Sequence, residues 1–156
     1  MKKLFAVILT VCLLATMSVT AFAANTTGGT ADITTSIAPT YTVTIPADVN
    51  VQFNATETAF GTIEVTASQI HPDKCIKVAL ATDKELNNAI DNTKVIPYAI
   101  KDSEGAEFTS ATYLTEGDKT ELSIHITAND WKTAYAGEYS DTVTFTVSYV
   151  DKAANN

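Results

Sequence analysis

The residues with chemical potential are few. Asn129-Asp130-Trp131-Lys132 holds the only tryptophan, with Tyr135 four residues on. Aromatic faces stack on sugar C–H surfaces, and neighbouring Asn and Asp side chains bond hydroxyls, so Trp131 and Tyr135 are the candidate ligand-binding pair. The simpler alternative is a loop tryptophan that covers one end of the core. His71-Pro72-Asp73-Lys74-Cys75 sets an imidazole near a thiol. A cysteine nucleophile needs a base within hydrogen-bond reach and a setting that favours the thiolate. Pro72 turns the chain and Cys75 opens a strand, so the expectation is a small structural cysteine; an intermolecular disulfide is the lesser alternative. His71 and His125 are too few and too far apart for zinc. Asp83, Glu85, Asn87, Asn88, Asp91 and Asn92 offer oxygens to calcium, but lack the glycine and terminal glutamate of a calcium loop, so a solvated loop is expected. Carboxylates abound, yet none sits in a hydrolase motif, and there is neither a phosphate loop nor a Gly-x-Ser-x-Gly elbow. No catalytic residue, metal or cofactor is expected.

These side chains need a scaffold, and the pattern is that of strands. Val143, Phe145, Val147 and Tyr149 alternate with Thr142, Thr144, Thr146 and Ser148. Such a period of two means a strand with one buried face. Leu122, Ile124 and Ile126 alternate in the same way, as do Ile76, Val78 and Leu80, and Tyr41, Val43 and Ile45. Weaker candidates are 31–37, 49–53, 62–67, 95–100 and 108–114. Pro97 lacks a donor, which makes 95–100 an edge or bulged strand. Only 83–92 carries a helical suggestion. About nine short strands, separated by turns such as Ser103-Glu104-Gly105 and Glu116-Gly117-Asp118, predict an all-β, antiparallel immunoglobulin-like β-sandwich of 7–9 strands. A barrel is the competing closure.

Charge and leader bound the setting. The 156 residues carry 10 basic and 18 acidic side chains, every basic one a lysine, for a formal charge of −8. Nucleic acid is an unsuitable partner, because phosphate binding needs clustered cations. Residues 1–23 read as a secretory signal: Lys2 and Lys3, an apolar run from Leu4 to Ala15, then Ala21-Phe22-Ala23 as cleavage site. Cleavage after Ala23 leaves 133 residues and no membrane span. It removes Lys2 and Lys3, which takes the charge to −10, and it removes Cys12, which leaves Cys75 alone. A chain of this size buries about two thirds of its unfolded surface, enough for one core without disulfides. The expected organisation is a signal at 1–23, a flexible arm at 24–30, one sandwich at 31–150 and a polar tail at 151–156.

The stretch 136–149, AGEYSDTVTFTVSY, resembles the end of spore coat U-like and fimbrial (pilin-type) secreted β-sandwich proteins, where a small residue and glycine precede a tyrosine and a threonine-rich final strand. The stretch 40–49, TYTVTIPADV, is similar to the opening strand of small secreted immunoglobulin-like proteins of Gram-positive bacteria. The resemblance covers about a fifth of the mature chain. It implies an immunoglobulin-like sandwich, secreted or at the cell surface, with a structural or adhesive role; the expected partners are itself or other surface proteins, or a glycan through Trp131 and Tyr135. Two departures stand out. Fimbrial subunits usually carry a disulfide, which one cysteine cannot form. They also lack a strand that a neighbour donates, whereas nine candidate strands complete a sandwich unaided.

Two structural roles remain open at this level. Tyr139 follows a glycine turn and opens a strand, which suits either a tyrosine corner or a partly exposed ring. Ile33, Thr35 and Ile37 alternate behind Gly28-Gly29. That segment is either the first strand of its own sandwich, the favoured reading, or an arm that adds to a sheet edge of another copy.

Overall fold

The computed structural model describes residues 30–153. The expected signal at 1–23, most of the expected 24–30 arm and the end of the tail lie outside them. Contacts divide the chain into two units, Met1–Thr35 and Ser36–Asn156. In the first, residues 30–35 are exposed and form no strand or helix.

The second unit carries ten strands and one short helix: β1 Thr40–Thr44, β2 Glu57–Gln69, β3 Lys74–Ala81, β4 Glu85–Asn88, β5 Val95–Pro97, β6 Ala99–Asp102, β7 Ser110–Tyr113, β8 Lys119–His125, α1 Ala128–Thr133, β9 Tyr139–Ser140 and β10 Thr144–Asp151. They form antiparallel sheets ordered β1-β2-β8-β6, β10-β3-β7 and β5-β4-β9. The first two are the layers of the sandwich. Ile63, Val65, Leu122, Ile124 and Ile100 of one pack with Ile76, Val78 and Tyr113 of the other. Alternation explains the division: in β3, Ile76 and Val78 are fully buried while Lys77 between them is exposed. Each fully buried isoleucine contributes about 1.5–3 kcal/mol through burial.

The order places the strands by immunoglobulin logic. The sheet β1-β2-β8-β6 matches A-B-E-D, and the pair β10-β3 matches F-C. In that architecture a further strand flanks F. Among the described residues, nothing pairs with the outer edge of β10.

Several sequence expectations change. Residues 31–37 and 49–53 form no strand. The first is in no strand pair among the described residues. The second follows β1, which ends at Thr44, and Pro46 between them lies against Gly61 of β2, where an added Cβ would lie 3.2 Å from Pro46 Cβ. Gly61 has φ +134 and sits at the β2 bulge opposite β8. Residues 83–92 are not helical: Glu85–Asn88 is a strand, whose Leu86 pairs with Ile96. The segment 95–100 splits at Tyr98 between two sheets, and Pro97 does fall on an edge strand. Trp131 lies in α1, not in a loop. The strand count exceeds nine, but three short strands make a separate sheet, so counting strands did not establish that the sandwich is complete.

Candidate binding groove

The sandwich has one open side, bounded by β1 in one layer and β10 in the other. The ladder between β10 and β3 fixes which groups of β10 are free. Lys152 N–H donates to Asp73 O at 2.9 Å, one step beyond the Asp151–Lys74 pair. On the other side of β3, Leu80 N–H donates to Thr109 O beside β7. Bonded residues alternate in an antiparallel ladder, so Thr144, Thr146, Ser148 and Val150 bond β3. The N–H and C=O groups of Phe145, Val147 and Tyr149 point outward from the sheet edge. The side chains of these same three residues face the opposite layer. Phe145 packs against Phe60 of β2 with ring centroids 5.9 Å apart, and Tyr149 against Tyr41 of β1 at 5.8 Å. Val147 between them is 38% exposed, although it belongs to the core-facing row.

At the β10 start this gap widens into an open cleft of about 1520 Å³. Its walls are the 45–54 segment, the stretch from Trp131 to Tyr139 and the first residues of β10, with Phe60, Ile96 and Phe145 among its lining. Ile45, Val49 and Phe53 along it are 44%, 38% and 76% exposed. A part-buried polar clasp fixes one wall. Tyr98 Oη donates to Asp141 Oδ2, and Thr82 Oγ1 donates to the same oxygen at 2.7 Å. Burial raises the Asp141 carboxyl, but these two bonds and the Thr142 N–H outweigh it and hold it below the usual value. Burial, then the hydrogen bond to Asp141, pushes the Tyr98 hydroxyl well up.

The candidate residues fall on different parts of this frame. Trp131 is half-buried; its Nε1–H donates to Ala55 O at 2.8 Å and its ring meets Phe53 edge-on at 5.6 Å. The indole therefore ties α1 to the 45–56 segment. Thr127 starts α1 by accepting the Asp130 N–H. Tyr135 is 63% exposed, with Lys94 Nζ 5.0 Å from its ring centre. Tyr139 is partly exposed, and its Oη donates to Tyr135 O at 3.0 Å, just upstream of the strand it opens. Cys75 is buried, and its thiol lies 3.9 Å from Asp151 O, with no bond to His71. His71 Nδ1 accepts the Asp73 N–H instead. His125 Nε2 meets Ser123 Oγ at 3.0 Å. Acidic and amide oxygens at 83–92 are spent on their own turns, as Asp83 accepts the Glu85 N–H and Asp91 caps Thr93. Among the described residues, no three His, Cys, Asp or Glu side chains are placed to hold a metal.

Ile33 and Ile37 are 99% and 67% exposed and form no ladder. The groove itself was hidden in the sequence. The one available signal was that 142–150 alternates as a strand with one buried face does.

No protein-family model matches the sequence, and no curated protein matches it. Among solved structures, it is similar to a chain of "Chaperone-tip adhesin complex is vital for synergistic activation of CFA/I fimbriae biogenesis", with a TM-score of 0.45 and 10% identity. The match covers 73% of this chain and 43% of that one, so this chain spans less than half of its neighbour's length. Among the described residues, no helix is long and apolar enough to cross a membrane.

Proposed function

We propose that this is a non-enzymatic, secreted or cell-surface structural or adhesive subunit that associates by accepting an added strand along β10. The supporting observation is the unpaired β10 edge, whose free main-chain groups and core-facing side chains belong to the same residues, Phe145, Val147 and Tyr149. A strand laid there gains a ladder of hydrogen bonds and sends every second side chain into the gap. The donor is the 31–37 segment of another copy. Ile33, Thr35 and Ile37 have the same i, i+2, i+4 spacing as the three groove residues, about 13 Å end to end at strand rise. Two large apolar side chains left in water gain about 1.5–3 kcal/mol each on burial. Size-exclusion chromatography with light scattering on the chain from residue 24 tests this. Concentration-dependent assemblies that vanish when residues 24–38 are removed support it; a strict monomer at high concentration with the arm present overturns it.

A second reading, a carbohydrate- or other ligand-binding module, rests on exposed Tyr135 at the rim of the cleft. Trp131 contributes little to it, because its Nε1–H is committed to Ala55 O. Glycan-array binding lost in Tyr135→Ala supports that module, and no binding across broad glycans contradicts it.

A further inference from the structure

We propose that Tyr41 and Tyr149 form a site of oxidative cross-linking, in which a peroxidase with hydrogen peroxide joins the two rings as dityrosine. The pair bridges the open side of the sandwich, one ring on β1 and the other on β10, with centroids 5.8 Å apart and planes inclined by 30°. It is the one tyrosine–tyrosine ring pair among the described residues. Both rings are partly exposed. The other tyrosines are otherwise engaged: Tyr98 and Tyr113 are 8% and 3% exposed, and Tyr139 meets Tyr135 through a backbone carbonyl. Tyr149 Oη accepts the His71 N–H at 2.8 Å, which orients the ring and leaves the phenol its own proton to lose.

The chemistry balances without any group from the protein beyond the two phenols. Each tyrosine gives one electron to the peroxidase and releases its hydroxyl proton. The two tyrosyl radicals couple through ring carbons ortho to oxygen, forming one carbon–carbon bond. The two displaced ring hydrogens leave as protons while the phenol oxygens are reprotonated. Two electrons and two protons thus leave the protein, and one hydrogen peroxide becomes two waters. The product staples one layer of the sandwich to the other at the end of the groove, in a chain whose one described cysteine is buried and unpaired. It follows from the ring geometry alone and holds whether or not β10 accepts a strand.

Treatment of the purified chain from residue 24 with peroxidase and peroxide tests the site. The expected product is a monomer lighter by two hydrogens, with blue dityrosine fluorescence, a fragment map joining the peptides of Tyr41 and Tyr149, and a higher urea midpoint. Tyr41→Phe and Tyr149→Phe, which keep the ring packing, each abolish the intramolecular product. Fluorescence that survives both variants, or cross-links found solely between chains, overturns the proposal.

Discussion

The two long sides of the sandwich are built from similar strands and finished differently. On the closed side, the chain between β6 and β7 laces the layers together. Phe108 N–H donates to Ile100 O, Leu80 N–H to Thr109 O, and Lys101 bridges to Glu107. Ile100, Phe108 and Tyr113 there are 1%, 5% and 3% exposed. On the open side, β1 and β10 face each other through Tyr41 and Tyr149 with no strand across the gap, and core-facing Val147 remains 38% exposed. A crossing segment decides whether an alternating strand is buried. The alternation itself is the same on both sides.

Substitutions measure that contrast. Ile100→Ala on the closed side should cost about 2–5 kcal/mol in urea unfolding, since it opens a cavity in a tight core. Val147→Ala on the open side should cost about 1 kcal/mol or less, because little burial is lost. Equal costs would erase the distinction. Gly137→Ala should be nearly as damaging as the core change, at about 1–3 kcal/mol, because φ is +150 and the new Cβ would lie 2.5 Å from Asn88 Nδ2. A neutral result would mean that the β9 entry adjusts freely.

The clasp on the cleft wall predicts an acid response. Asp141 is held below its ordinary value of 3.8, so its folded form binds its proton more weakly than the unfolded chain. The stability it gives is present above that value and is lost as pH falls through the lower folded value. Asp118, lowered by the Leu114 and Thr115 N–H groups, behaves alike. Asp141→Asn should therefore flatten the loss of stability below pH 3.8, and an unchanged acid limb would remove the clasp from the account. A similarly small effect is expected from Trp131→Phe, which deletes the bond to Ala55 O and costs about 1 kcal/mol in urea unfolding.

The sequence carried the sandwich plainly where burial is one-sided. β3, β8 and β10 stand where Ile76–Leu80, Leu122–Ile126 and Val143–Tyr149 alternate. It carried less where pairing is set by distant partners. Leu86-Asn87-Asn88 becomes a strand because Ile96 and Tyr139 flank it, which no local pattern in an Asn-rich stretch declares. Conversely, 31–37 alternates like a strand and forms none, since alternation supplies a face but no neighbour. The groove was least legible of all, because an empty place beside β10 is a property of topology. Trp131 has the residue type of a sugar platform, but its fixed position comes from Ala55, which lies far away in sequence.

Hydrogen exchange at single amides of β10 tests the open edge most directly. In the monomer, the amides of Thr144, Thr146 and Ser148 should be protected while those of Phe145, Val147 and Tyr149 exchange quickly. On assembly, or on adding a peptide with the sequence of residues 31–37, the second set should become protected as well. Protection of Phe145, Val147 and Tyr149 already in the monomer, or assembly that leaves them exchanging, would contradict the account.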